Sequence, residues 1–291
     1  MNRREVLSWL TVAAAGAMSL PSASAQVVPA PADKPGRQPE KAMSAEGAVV
    51  LVTGSNRGIG LGLVKALLER GASRVYATAR NPDNLPDVVA LDPARIKPLV
   101  LDINVPQQRQ AAASQARDVT WLINNAGVSG SRDERSRILA SPNLDEALLV
   151  MQTNCWSAAE LCHLFAPIIL QNGGGAISNI HSVGAWYCVP QVTTYSMSKA
   201  AAAMMTAGVR AELDRDPVLV SGVYPAGVAT RMSGFKGMDP LVHGHQVLEA
   251  VARGDTDILT GNGVEKLRDD VRSDPKGVER ARIEAMYAAN S

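Results

Sequence analysis

Residues 48–52 (Ala-Val-Val-Leu-Val) form an unbroken apolar run that passes straight into Thr53-Gly54-Ser55-Asn56-Arg57-Gly58-Ile59-Gly60. Residues 61–70 then read as an amphipathic helix, stopped by Gly71. Nothing else in the chain restricts its fold as much. An apolar run without alternation suits a strand buried on both faces, which occurs in parallel sheets covered by helices. The glycines have separate jobs in such a turn. Gly54 permits the tight bend, Gly58 lets backbone approach a pyrophosphate, and Gly60 allows close packing where the helix starts. The free N–H groups of that helix end face the same phosphates.

The pattern repeats. Apolar runs at 74–80, 98–103, 119–123, 175–180, 218–223 and 257–260 are separated by helical stretches. Strands alternating with helices predict an α/β fold, a doubly wound parallel sheet with helices on both faces. The chain has 291 residues, 46% of them hydrophobic, enough for one large domain, which we place at residues 47–291. Between the second and third strands, residues 81–97 are proline-broken and leave room only for a stunted helix. Residues 142–170 give a long helical pattern, expected to be interrupted at Pro167. Residues 233–244 read as a flap, 246–253 as a helix, and 265–289 as a charged helical tail.

Two segments precede this domain. Arg3-Arg4 is followed by a mild apolar run from Trp9 to Leu20 and by Ala23-Ser24-Ala25, an A-x-A cleavage pattern. The layout resembles a twin-arginine signal peptide over residues 1–25, implying a periplasmic location; an unused, merely basic N-terminus would leave the protein cytoplasmic. The apolar run is shorter than the roughly 20 residues of a membrane span. Residues 26–46, with Pro29, Pro31, Pro35 and Pro39, read as a disordered linker.

Charge and composition exclude other classes. A formal charge of +1 and 4% aromatic residues argue against a nucleic-acid partner. Cys155, Cys162 and Cys188 show no CxxC spacing, and seven helical positions separate the first two, about 10 Å, too far for a disulfide. All three are expected to be buried small hydrophobes. His243 and His245 form an HxH pair without a third ligand candidate, so no metal site is expected.

The chemistry lies in residues 182–199. Tyr195 and Lys199 are four apart, hence on one helix face, one turn from each other. An ammonium there favours the phenolate and lets the phenol trade protons closer to neutral pH than about 10. Ser182, where a strand gives way to a loop, is placed to hold a substrate oxygen while the phenol gives or takes a proton. Cofactor choice is read from the second strand. Dinucleotide folds that bind NAD place an acid about 20 residues after the glycines. This chain has Ala79 and then Arg80 there, with Arg57 inside the glycine loop, so a 2′-phosphate fits better than a free hydroxyl.

TGxxxGxG spacing, Asn124-Asn125-Ala126-Gly127 at the end of the fourth strand, and Ser182 with Tyr195 and Lys199 occur in this order. Together they resemble the short-chain dehydrogenase/reductase family, carbonyl-reductase-like branch, over residues 48–230. The resemblance implies a Rossmann-type fold and NADP(H)-dependent hydride transfer between a carbonyl and an alcohol, NAD(H) being less favoured. It implies a catalytic tetrad of Asn154, Ser182, Tyr195 and Lys199. It places the cofactor against Gly54, Ser55, Asn56, Arg57, Gly58, Ile59, Gly60, Arg80, Asp102, Ile103, Asn125, Ala126, Gly127, Tyr195, Lys199, Pro225, Val228 and Thr230. Asp102 would contact the adenine, or simply cap the helix near Pro106. Ala226 departs from the family, which has glycine there; Gly227 follows one position later. Trp186, Tyr187, Cys188, Met232 and Phe235 are expected to line an apolar substrate pocket. A homodimer or homotetramer pairing through the helices that carry Asn154 and Tyr195 is also implied. The alternatives are a cofactor-binding sensor that turns nothing over, or an epimerase or dehydratase on the same fold.

Overall fold

The computed structural model describes Gly36 and residues 38–288. The twin-arginine-like segment lies outside the described residues. Seven strands form one parallel sheet: β1 (Val49–Val52), β2 (Arg74–Ala79), β3 (Ile96–Val100), β4 (Trp121–Asn124), β5 (Gly175–Ile180), β6 (Val218–Pro225) and β7 (Asp257–Thr260). Their spatial order is β3-β2-β1-β4-β5-β6-β7. The chain runs outward from β1 in one direction, then returns past it to run outward in the other. The reversal opens a crevice between the carboxyl ends of β1 and β4, where open α/β sheets bind their ligands.

Helices cover both faces. The helices are α1 (Gly58–Glu69), the single-turn α2 (Pro86–Val89), α3 (Pro106–Gln115), α4 (Asp145–Met151), α5 (Ser157–Gln171), α6 (Thr193–Glu212), α7 (Pro240–Ala252), α8 (Val264–Ser273) and α9 (Pro275–Ala288). Alternate strand residues serve opposite cores, as the two-residue side-chain period demands. Val50, Val52, Trp121 and Ile123 pack with Leu63, Leu67, Val247 and Val251 on one face. Leu51, Leu122, Ile177 and Val220 pack with Leu161, Phe165 and Ile169 on the other. The sheet faces thus bury α1 and α7 on one side and α5 on the other. Between α1 and α7, glycine is required: a Cβ on Gly62 would collide with the Pro240 carbonyl.

Several expectations needed correction. The third strand starts two residues early, because Ile96 is buried and pairs with Val75, and it ends at Val100. Residues 101–103 leave the ladder to form a loop, and Pro98 is tolerated because β3 is an edge strand. The long helical pattern is not interrupted at Pro167, which lies inside α5. It is broken earlier by a π turn, Gln152–Trp156, which contains Asn154. Part of the supposed linker is tied down. Gln38 N–H donates to Gly254 O (2.8 Å), Met43 N–H to Val251 O (3.3 Å), and Lys41 Nζ to Leu213 O (3.1 Å). Gly36 O accepts from Thr256 N–H at 2.8 Å. These bonds reach Val251 and Gly254 where α7 ends, Leu213 where α6 ends, and Thr256 just before β7. The flap is shorter than expected: Asp239 caps α7, accepting from Leu241 N–H (2.7 Å), so His243 and Gly244 are helical. His243 points inward to Thr260 Oγ1 (2.9 Å) and His245 outward to Glu69 (2.8 Å), so the HxH pair diverges. Cys155 and Cys162 are buried, but Cys188 is exposed, because the turn that carries it lies outside the core. On α4, the π turn and α6, Leu148, Trp156 and Met204 are exposed. Among the described residues no helix is long and apolar enough to cross a membrane.

Candidate active site

The crevice is a cleft of about 1030 Å³ running from the glycine loop to Tyr195 and on to Phe235. Its floor is built by the junction of β1 and β4. Thr53 Oγ1 accepts from Asn125 N–H (2.9 Å) and Ala126 N–H (3.0 Å), and Asn125 Nδ2 donates to Thr53 O (2.8 Å) and Gly54 O (3.1 Å). Gly54 takes φ +67, and a Cβ there would stand 3.2 Å from Ala126. A Cβ on Gly60 would collide with the Gly54 carbonyl. The loop therefore folds back on its own helix with no room for a side chain at Gly54 or Gly60. Arg57 precedes α1 without capping it by a side chain, so the first N–H groups of that helix stay open toward the cleft.

Most of the expected cofactor residues line this cleft: Gly54, Asn56, Arg57, Gly58, Ile59, Arg80, Asp102, Ile103, Asn125, Ala126, Gly127, Tyr195, Lys199 and Thr230. Four do not. Ser55 is fully buried and staples the loop to β2, donating to Val52 O (2.6 Å) and accepting from Thr78 N–H (2.8 Å). Gly60 serves by its absence of side chain. Pro225 ends β6, and Val228 is buried behind the wall, where its segment bridges to Met238. Gly227 takes the left-handed conformation at φ +73, so Ala226 needs none. Asp102 Oδ1 accepts from Asn104 N–H at 2.9 Å, ordering its own loop rather than capping α3. Lys65 also lines the cleft and was not anticipated; its helical position hid it among surface charges.

The four expected catalytic residues converge. Asn154 is held on three sides: Nδ2 donates to Val128 O (2.8 Å) and Ser198 Oγ (2.9 Å), and Oδ1 accepts from Val128 N–H (2.8 Å). Ser198 passes the link on, donating to Tyr195 O at 2.7 Å. Sequence reasoning missed Ser198, although its place three residues after Tyr195 puts it on the adjoining helix face. Lys199 Nζ donates to Ile180 O (2.8 Å) and stands 5.8 Å from the Tyr195 ring centroid. Gly127 lies against both: a Cβ there would be 3.0 Å from Asn154 Oδ1 and 3.6 Å from Lys199 Nζ. Ser182 Oγ accepts from Gly184 N–H at 3.1 Å, and a Cβ on Gly184 would lie 3.5 Å from that hydroxyl and 3.7 Å from the Tyr195 ring, so the two groups share one corner.

The electrostatics differ from expectation. Burial raises the Tyr195 phenol above its ordinary value, while the Ser182 hydrogen bond and the charge of Arg132 pull it down. Lys199 was expected to provide that pull, but its ammonium is engaged with a backbone carbonyl and is itself buried. His181 is buried beside the site, with Nε2 on Thr206 Oγ1 (3.0 Å), and burial holds it well below its ordinary value, hence neutral. Trp186 and Tyr187 turn away from the cleft. Trp186 stacks on Tyr224 (5.0 Å), and Tyr187 lies under Arg282 of α9 (4.7 Å). Of the expected substrate residues, Met232 and Phe235 line the cleft; Trp186, Tyr187 and Cys188 do not.

The chain is similar to known proteins. The family described as short chain dehydrogenase matches residues 48–239. A solved short chain dehydrogenase from Burkholderia cenocepacia, in complex with NADP, is 35% identical, with a TM-score of 0.75 over 82% of this chain and 99% of that one. A dehydrogenase/reductase SDR family protein 7-like of Drosophila melanogaster is 30% identical over 74% of this chain and 73% of its own length. Carbonyl reductase [NADPH] 2 of Sus scrofa is 30% identical over 68% of this chain and 79% of its own.

The buried lysine sets a pH dependence. Burial lowers Lys199 from 10.5 to about 8. Below 8 it is charged in folded and unfolded chains alike, and folding bears the full desolvation cost. Between 8 and 10.5 the folded form sheds its proton first and the cost fades; above 10.5 both are neutral. Stability from this group therefore rises with pH across that window. Lys199→Met should stabilise the ligand-free protein near neutral pH by on the order of 2–3 kcal/mol in urea denaturation, a gain that shrinks as pH rises through the window. A variant no more stable than the parent at neutral pH would show that the Ile180 hydrogen bond outweighs the buried charge.

Proposed function

The chain belongs to the short-chain dehydrogenase family, and from that premise we propose that it is an NADP(H)-dependent oxidoreductase interconverting a carbonyl and an alcohol. The observation that carries the reading is that Tyr195 and Lys199 line a cleft that also opens onto a glycine-lined helix end, with Ser182 and Asn154 packed directly behind them. The cofactor, when bound, supplies or takes the hydride. This chain's residues do the rest. Ser182 holds the substrate oxygen by hydrogen bond. Tyr195 gives that oxygen a proton on reduction and removes it on oxidation. Lys199 lies one helical turn away and holds the cofactor's ribose, and Asn154 ties the site to the exit of β4.

The fit to a phosphorylated dinucleotide is direct. Arg57, Lys65 and Arg80 line the dinucleotide end of the cleft, and no acid stands at the end of β2, where a ribose 2′-hydroxyl would need one. A guanidinium pairs with a 2′-phosphate in bidentate fashion. Intact Ser182, Tyr195 and Lys199 disfavour a sensor that turns nothing over.

Tyr195→Phe should bind NADPH as the parent does, by fluorescence titration, while carbonyl-dependent NADPH consumption falls about 100- to 10,000-fold; undiminished turnover refutes the role of the phenol. Arg80→Asp should reverse the preference between NADPH and NADH in kcat/KM, and an unchanged ratio refutes the reading of Arg80. We also propose that the Arg3-Arg4 segment directs export of the folded, cofactor-loaded protein to the periplasm. Fractionation of cells expressing the tagged chain should show the periplasmic share lost when both arginines become lysine; a cytoplasmic parent overturns it.

A further inference from the structure

The loop leaving β4 carries an arginine that the chemistry above does not use. Arg132 has φ +64; among the described residues the only other non-glycine in this region is Phe235, at φ +60. Left-handed backbone is unfavourable for a residue with a Cβ and persists only where surroundings enforce it. Here a polar knot enforces it. The fully buried Ser136 hydroxyl accepts from Arg132 N–H (2.9 Å) and donates to Glu146 Oε1 (2.7 Å). The same carboxylate oxygen accepts from Ser131 N–H (3.1 Å) and Ser131 Oγ (3.0 Å). Gly130 makes the space, since a Cβ there would stand 2.7 Å from both Glu146 Oε1 and Ser136 Oγ.

The result is an arginine on a fixed mount. Its neighbour Arg135 is engaged with Asp133 at 2.7 Å. Arg132 has no ion pair and no side-chain hydrogen bond among the described residues. Its side chain lines the cleft with Ser129, Leu149, Met232 and Phe235. Its charge reaches the Tyr195 phenol. A positive group close to the proton donor, unneutralised and beside apolar surface, suits a ligand with an anion at one end and an apolar body. Of the other cations lining the cleft, Arg57, Lys65 and Arg80 belong to the glycine-loop end, and Arg231, beside Met232, lacks the fixed mount that holds Arg132.

We propose that Arg132 selects the substrate, pairing with the carboxylate of an oxo acid whose carbonyl lies at Tyr195 and Ser182. The inference rests on the carbonyl–alcohol reading above. The planar fork of a guanidinium binds both carboxylate oxygens at once, so it fixes the orientation of the acid as well as its charge. Leu149, Met232 and Phe235 receive the carbon skeleton.

The test compares each acid with its own ester. Benzoylformate and benzoylpropanoate, which differ in the distance from carbonyl to carboxylate, are assayed with NADPH beside their methyl esters. With the parent, at least one acid should exceed its ester in kcat/KM by about tenfold or more. In Arg132→Gln that ratio should fall to near one, chiefly through KM, and Arg132→Lys should recover only part of it. Because both substrates meet the same enzyme, any change in Tyr195 acidity cancels from the ratio. A ratio near one in the parent, or an unchanged ratio in the variant, overturns the proposal. So does loss of NADPH affinity in Arg132→Gln, which would assign the arginine to the cofactor. If neither acid nor ester is reduced, the carbonyl reading fails separately. Calorimetric binding of the two acids to the NADPH-loaded protein then decides Arg132: about tenfold weaker binding in Arg132→Gln supports it, and equal or absent binding overturns it.

Discussion

The Thr53 hydroxyl is the joint on which the rest of the structure turns. It accepts two backbone N–H groups, from Asn125 and Ala126, at the point where the sheet reverses its order. Those N–H groups sit at the end of a strand with no neighbour to continue the ladder. Without a partner each would cost about 1–3 kcal/mol. With Thr53 in place the ends of β1 and β4 are fixed together, and Asn125 returns the bond to the Thr53 and Gly54 carbonyls. The glycine loop can then turn sharply, with the Ser55 hydroxyl holding its other side to β2. A cleft that must hold a long anionic ligand is thereby bounded by backbone that cannot drift.

The second half of the site depends on a local flaw in a helix. The π turn at Gln152–Trp156 breaks the regular ladder where Asn154 must reach across to Val128. Such turns cluster at functional positions because they re-aim a side chain without ending the helix. Asn154, Ser198 and Tyr195 then form a continuous relay of hydrogen bonds between two long helices. Tyr195 is positioned through its own backbone carbonyl. Lys199 is buried at a real energetic cost, and its carbonyl partner at Ile180 offsets only part of it.

Much of this was legible in the residues. Uniform apolar runs such as residues 48–52 leave a parallel sheet as the natural outcome, and glycine spacing fixes where phosphate can approach. Tyr195 and Lys199 were legible because helical geometry alone brings them together. What escaped was set by long-range contact. Ser55 sits inside a binding motif yet faces Val52 and Thr78, a fact that depends on how β2 lies beside β1. Trp186 and Tyr187 sit next to the catalytic segment, but Tyr224 and Arg282 claim them. Arg282 is almost a hundred positions further on, so no local pattern announces it. The packed part of the supposed linker was hidden likewise. Its composition is that of a free chain, and its partners, Leu213, Val251, Gly254 and Thr256, lie more than 160 positions further on.

That packed segment has a further consequence. Gly36 and Gln38 bond to Thr256 and Gly254, which precede β7 and so lie at the amino ends of the parallel strands. The cleft opens at the carboxyl ends. The two are separated by the full length of the sheet, and the attachment point is stitched to the frame by backbone bonds. A handle fused directly to Gly36 in place of residues 1–35, whether a purification tag, a surface linkage or a fused partner, starts from the rear of the molecule. The protein can be immobilised by that end with its working face turned to the solution.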